Sequence, residues 1–208
     1  MSKTAAKTRG NPPRPLVLAS GSRYRAALLD RIGLPYLARA PDIDESTLAG
    51  ESPAETCVRL AEAKARAVAV HHPDALVLGS DQVADCEGRH VGKPGTLAGA
   101  KAQLRAQSGR SVTFHTGVAL LDAATGRCWV ERVDVVSRFR VLSEGEIDAY
   151  LSRESALDCA GSVRSEALGI ALFEAIESDD PTALIGLPLI VTLKLLRRAG
   201  VDVLAQPR

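Results

Sequence analysis

Aromatic residues are scarce in this chain of 208: one Trp, three Tyr and three Phe, 3% in all. A core must therefore be built mainly from Leu, Val, Ile and Ala, and an aromatic outside an apolar pattern invites a role other than packing. Cysteine is sparse too. Cys57, Cys86, Cys128 and Cys159 stand far apart, with neither a CxxC pair nor a secretory framework, which predicts reduced, mostly buried thiols. No apolar leader precedes Pro15, and the most apolar late run, Ala183 to Leu196, is too short to cross a bilayer and contains Lys194. A soluble, cytoplasmic protein with no membrane partner is expected. Charge of one sign is missing as well: 26 basic against 25 acidic residues leave +1, so no basic field draws the chain onto nucleic acid. GxxxxGK[ST] is absent, which excludes a Walker P-loop.

What is present is ordinary globular material, 46% hydrophobic and long enough for one compact enzyme domain. Residues 1–14 are basic and Pro-containing and read as a disordered tail; residues 15–205 read as the domain. Pro15 to Ala19 predicts a buried strand, and Ser20-Gly21-Ser22 opens a helix that runs to Gly33. A short strand over Pro35 to Ala40 leads into the acidic loop PDIDES, followed by a long helix from Pro53 to Val70 that carries Lys64. Ala75 to Gly79 predicts a third strand ending at Ser80-Asp81-Gln82, with a turn at Gly92-Lys93-Pro94 and a helix over Thr96 to Gln107. Two longer strands, Ser111 to Leu121 and Arg127 to Val141, meet at Ala124-Thr125-Gly126 as a hairpin. Ser143 caps a helix with Glu146 at the capping-box position. Gly169 to Ile176 predicts a strand, and Pro181 to Ala199 a terminal helix. Alternating helices and strands about a long hairpin indicate an α/β or mixed-sheet fold.

Three groups of residues carry chemistry. Ser20-Gly21-Ser22-Arg23-Tyr24-Arg25 sits at a strand-to-helix junction, where backbone N–H groups attract anions and Arg25 adds a charged fork suited to phosphate. Asp81 follows an apolar strand, with Asp44 and Glu45 in an earlier loop. Such carboxylates can hold Mg²⁺ or Mn²⁺ through oxygen ligands and polarise water. Lys64 and Lys93 are cations of the kind a departing pyrophosphate needs. Each group also has a plainer reading, as helix cap, turn former or solvated charge.

Taken in order, LVLASGSRYRAALLDRIGL, PDIDES, RLAEAKA, VLGSDQV, GKP and VTFHTGVAL resemble the signature of the Maf family over nearly all the chain beyond the tail. The resemblance implies an α/β fold of the Maf/ITPase-like kind, a mixed sheet with flanking helices and two lobes around a nucleotide-binding cleft. It implies metal-dependent hydrolysis of nucleoside triphosphates to monophosphate and pyrophosphate, with Asp81 as general base. Ser20, Ser22, Arg25, Lys64 and Lys93 would serve the phosphates; Glu45 and Asp81 would lie at a divalent metal, Mg or Mn; a homodimer is compatible with it.

Gln82, where the dTTP and UTP enzymes carry Thr, is similar to the 7-methyl-GTP pyrophosphatase branch, as is CAGSVRSE ending at Glu166. That branch places base selection on Tyr24, Gln82 and Glu166. Methylated guanine carries delocalised positive charge that an aromatic face attracts, and a carboxylate suits a guanine donor edge. Ala26, which cannot bind phosphate, departs from the branch's paired arginines, so that either Arg23 compensates or affinity is lower, and Tyr24 replaces a familiar Trp. The alternatives are a dTTP or UTP pyrophosphatase of the same family and a non-catalytic nucleotide-binding regulator of cell division.

Overall fold

Four apolar residues without interruption, Leu16–Ala19, form strand β1, buried on both faces as parallel strands are. The computed structural model describes residues 14–205. β1 pairs in parallel with a two-residue edge strand, β2 (Leu37–Ala38), and with the first third of β3 (Leu76–Cys86). β4 (Arg89–Val91) folds back on the end of β3 through Glu87 and Gly88, both at positive φ as a two-residue hairpin turn requires. The long hairpin of β5 (Ser111–Asp122) and β6 (Cys128–Phe139) follows, and β7 (Phe173–Glu177) closes the far edge. The seven strands run in the order β2-β1-β3-β5-β6-β7, with β4 beside β3.

Alternation along these strands sorts the side chains onto two faces. Leu16, Leu18, Leu76 and Leu78 bury against α1 (Arg23–Arg31) and α5 (Leu189–Arg198). Val17, Ala19, Val77 and Ala119 bury against α2 (Pro53–Ala69). At the other end of the long strands, Phe114, Val135 and Phe139 pack with α3 (Leu97–Gln107) and α4 (Glu144–Arg153). The α1–α5 and α3–α4 clusters form two lobes, and the cleft lies between them.

Helix α2 starts with a complete capping box, Ser52 with Glu55, and Pro53 at its first position. It lies unusually close to the sheet. A Cβ on Gly79 would sit 2.1 Å from the Ala61 carbonyl oxygen, and one on Gly117 2.4 Å from that of Cys57. Glycine at both positions permits the approach.

Several elements differ from expectation. β3 does not end at Ser80 but continues to Cys86, because β5 pairs with it as far as Asp85 and β4 pairs with its last three residues. The strand over Pro35 to Ala40 shrinks to two residues. That over Gly169 to Ile176 begins only at Phe173, after a 3₁₀ turn over Leu168–Leu172. The terminal helix begins at Leu189, not Pro181, since Pro188 inside it would break the hydrogen-bond ladder. Ahead of it, Ala183–Ile185 makes a 3₁₀ turn closed by Gly186 at φ 111°. All four cysteines are free, Cys57 and Cys86 buried and the other two half-buried. The expected tail lies outside the described residues except Arg14, whose guanidinium donates to Asp122 Oδ1 at 2.5 Å. Among the described residues no helix is long and apolar enough to cross a membrane.

Candidate active site

β3 has a gap on one edge. Its pairing with β1 ends at Gly79 and its pairing with β4 begins at Ala84, so Ser80 to Val83 has no strand on that side, while its other edge is bonded to β5 throughout. Asp81 and Gln82 sit in this gap, pointing to opposite faces of the sheet. Around it opens a cleft of about 870 Å³ lined by the start of α1, by α2, by the loop after β4 and by the 158–166 and 184–186 segments. A second, shallower groove of about 790 Å³ lies beside Leu48 and Arg66, and within it Arg59 pairs with Glu51 and Arg66 with Glu62.

Lys64 follows Leu60 and Ala61 on the buried stripe of α2, which aims it at the sheet rather than at water. Its ammonium lies 2.6 Å from Asp81 Oδ1 and 2.9 Å from Glu45 Oε1. Lys64 and Asp81 are 4% and 6% exposed, so the pair is removed from solvent, while Glu45 reaches in from an exposed loop. Burial pushes the Asp81 carboxyl above its ordinary value of 3.8, and Lys64 and Arg25 pull it back. Asp44 accepts from the Ser46 amide at 2.8 Å and closes its own loop; it is not part of the cleft wall.

The residues expected to serve phosphate converge. Ser22 caps α1 by accepting from the Arg25 amide, and Ser20 Oγ accepts from the Ser22 amide at 3.1 Å and from Arg25 Nη1 at 3.3 Å. Arg25 Nε donates to the Gly186 carbonyl at 2.8 Å, which also takes the Ser80 hydroxyl at 2.9 Å. Burial lowers the Arg25 pKa against the raising effect of Asp81 and Glu45; a guanidinium keeps its charge through such a shift. Lys93 stands exposed at the rim of the cleft. Arg23 also lines it, whereas Ala26 packs into the core beneath α1.

At the other end of the cleft, Gln82 Nε2 donates to Thr116 Oγ1 (3.0 Å) and to the carbonyls of Ala183 (2.9 Å) and Leu184 (3.1 Å). Its donor side is thereby committed, which leaves Oε1, an acceptor, for a ligand. The Tyr24 hydroxyl accepts from Arg23 Nη2 at 2.8 Å. The Arg23 and Arg164 guanidinium carbons lie 4.9 and 5.2 Å from the ring centroid. Glu166 Oε1 accepts from Arg164 Nε at 3.3 Å. The cleft wall thus holds Ser20, Ser22, Tyr24, Arg25, Glu45, Lys64, Asp81, Gln82, Lys93 and Glu166 together.

Sequence reasoning missed Thr116, Arg164 and the Ala183–Gly186 turn. The turn hides inside an apolar stretch that reads as helix; Pro181 and Pro188, seven residues apart, were the available signal.

The family described as Maf-like protein matches residues 15–199. The chain is 54% identical over 200 residues, 95% of each sequence, to a protein of Burkholderia orbicola named 7-methyl-GTP pyrophosphatase. It is 54% identical over 185 residues, 89% of this chain and 95% of the relative, to a protein of the same name from Aromatoleum aromaticum. Among solved structures, the Staphylococcus aureus Ham1 protein aligns with a TM-score of 0.42 and 16% identity over 61% of this chain and 72% of that one.

Proposed function

The chain belongs to the Maf family, and from that premise and the cleft geometry we propose that it hydrolyses the α–β phosphoanhydride bond of 7-methyl-GTP, releasing 7-methyl-GMP and pyrophosphate. The observation that carries this reading is the buried Asp81–Lys64 pair, set in the gap of the sheet beside the start of α1. A buried carboxylate with a raised pKa is a better proton acceptor than a solvated one, and it stands next to cations that suit a triphosphate.

In this reading the triphosphate lies along Ser20, Ser22 and Arg25, with the amides at the start of α1 directed at its oxygens. Lys64 holds Asp81 Oδ1, and among the described residues no group donates to Oδ2, which is left for water. Asp81 takes a proton from that water as its oxygen bonds to the α phosphorus, and the bridging P–O bond breaks. Arg25, Lys64 and Lys93 meet the charge that develops on pyrophosphate. No side chain forms a covalent intermediate.

Glu45 and Asp81 fit a divalent cation, Mg²⁺ or Mn²⁺. Both are hard oxygen donors already converging on one positive group, the Lys64 ammonium. Among the described residues no set of three or more His, Cys, Asp or Glu could hold a metal ion, so substrate oxygens would complete the shell, as Mg²⁺ sites often require. Bound there, the cation would neutralise phosphate charge and acidify water. Base choice falls to Tyr24, Gln82 Oε1 and Glu166: two acceptors facing a guanine donor edge and an aromatic ring for a positively charged base.

Pyrophosphate release across 7-methyl-GTP, GTP, dTTP and UTP, with Mg²⁺, with Mn²⁺ and with chelator, tests the reading. Preferential, metal-stimulated release from 7-methyl-GTP is expected. A dTTP or UTP preference would reassign the substrate, and no release from any of the four would leave a nucleotide-binding protein without this activity.

A further inference from the structure

One guanidinium touches two of the three groups at the base end of the cleft. Arg164 Nε donates to Glu166 Oε1 at 3.3 Å, and its Cζ lies 5.2 Å from the centroid of the Tyr24 ring. Arg164 does not itself line the cleft; it stands behind the wall that Tyr24 and Glu166 form.

Arg164 is itself held from three directions. Its Nη1 pairs with Glu154, whose other carboxylate oxygen accepts from the Leu168 amide at 3.3 Å. Its backbone amide donates to the Tyr150 hydroxyl at 3.2 Å, and Tyr150 is buried in the core of the α3–α4 lobe. Gly169 packs so closely on its backbone that a Cβ there would lie 2.5 Å from the Arg164 carbonyl oxygen. Glu154 is almost wholly enclosed, its side chain 11% exposed, so the guanidinium has a fixed partner on the side away from the cleft.

We propose that Arg164 is a positioning residue for base recognition: it ties the Glu166 carboxylate and the Tyr24 ring into one unit anchored through Glu154. The proposal rests on the reading of this cleft as a 7-methyl-GTP site. A planar guanidinium can lie beside an aromatic ring while its spread donors reach two carboxylates on different sides; an ammonium, a point charge, does not reproduce that geometry.

The sign of the effect separates positioning from plain charge. Around Tyr24, Arg23 and Arg164 face Glu154, Asp158 and Glu166, two positive groups against three negative. If Arg164 acted only through its field, removing it would make the site more negative and tighten its hold on a positively charged base. Positioning predicts the opposite, since Glu166 and Tyr24 lose their common support and the methylated base loses most.

The test is calorimetric binding of 7-methyl-GMP and GMP to the full chain, with kcat and KM for the two triphosphates, in wild type, Arg164→Lys, Arg164→Ala and Glu166→Ala. Both Arg164 variants should lower the preference for the methylated base on the order of tenfold, within the usual range for a lost pocket contact, with the loss carried by KM more than kcat. Adding Arg164→Ala to Glu166→Ala should reduce the preference by clearly less than the two single losses combined. A preference unchanged or raised in Arg164→Lys, which keeps the charge and the smaller perturbation, overturns the proposal. Equal weakening of both nucleotides with a lowered melting temperature overturns it too, in favour of a merely structural role. A wild-type chain that shows no preference would instead refute the substrate reading itself, and the proposal with it.

Discussion

Lys64 Nζ lies 2.6 Å from Asp81 Oδ1, with neither side chain more than 9% exposed. Two opposite charges withdrawn from water together are tolerable, but removing one strands the other, at a cost of about 3–5 kcal/mol. Lys64→Met should therefore destabilise the chain by roughly that amount in denaturant unfolding. It should also change the pH profile. Lys64 is the largest influence holding the Asp81 pKa down against burial, so without it the carboxyl rises further and protonates at higher pH. Activity that needs the carboxylate is then lost earlier on acidification, and the acid limb of kcat/KM moves up. An unmoved acid limb would argue against Asp81 as the base.

Asp81→Asn keeps the shape and removes the proposed proton acceptor. Turnover of every triphosphate should fall about 10²–10⁴-fold, while nucleotide binding measured by calorimetry survives. Retained turnover would remove Asp81 from the mechanism.

Gly117→Ala introduces a Cβ 2.4 Å from the carbonyl oxygen of Cys57, backbone that cannot swing aside. Helix α2 must retreat from the sheet, carrying Lys64 with it. A loss of at least about 1–3 kcal/mol is expected from such overpacking, together with a drop in kcat. A substitution at exposed Gly145, where nothing lies within 4 Å of the added Cβ, should leave both nearly unchanged.

The strand-and-helix skeleton was legible in the sequence because its signals are local. Ser22 and Ser143 cap helices α1 and α4 where expected, α2 begins at Pro53 as expected, and Gly126 closes the β5–β6 hairpin at positive φ. The cleft residues expected at the start of α1, on α2 and at Asp81 also meet. Two features were illegible. Polar Ser80, Asp81 and Gln82 suggested the end of β3, yet tertiary pairing with β5 carries the strand through them. The Ala183–Gly186 turn owes its shape to long-range partners, Gln82, Ser80 and Arg25, which no window of adjacent residues contains.

Gln82→Leu tests that turn. The Leu184 carbonyl would lose its donor, whereas the Ala183 carbonyl keeps the Thr116 hydroxyl and the Gly186 amide; one buried acceptor left unpaired costs about 1–3 kcal/mol. Because the same turn supplies the Gly186 carbonyl to Arg25, KM should rise for all nucleotides in addition to any loss of base discrimination. A change in discrimination alone, with stability intact, would show that the turn stands without Gln82.

Stability should fall in acid in a defined window. Glu51, fixed by Arg59, is held down to about 2 from an ordinary 4.5. Between those values the unfolded chain binds the proton and the folded chain does not, so this contribution is present above pH 4.5 and disappears as pH falls towards 2. Glu51→Gln should flatten that part of the stability curve measured by urea unfolding from pH 5 downwards; an unchanged slope would show that the Arg59 pair is worth nothing in solution.

The gap in the sheet leaves the reacting strand free on one edge and fully bonded on the other. Asp81 is therefore held by the ladder in register opposite Gly117, and Glu45 and Lys93 come from loops outside the sheet. Whatever adjustment a substrate demands falls on the loop-borne half of the site. The position of the proposed base relative to the β3–β5 ladder is thus built into the folded sheet.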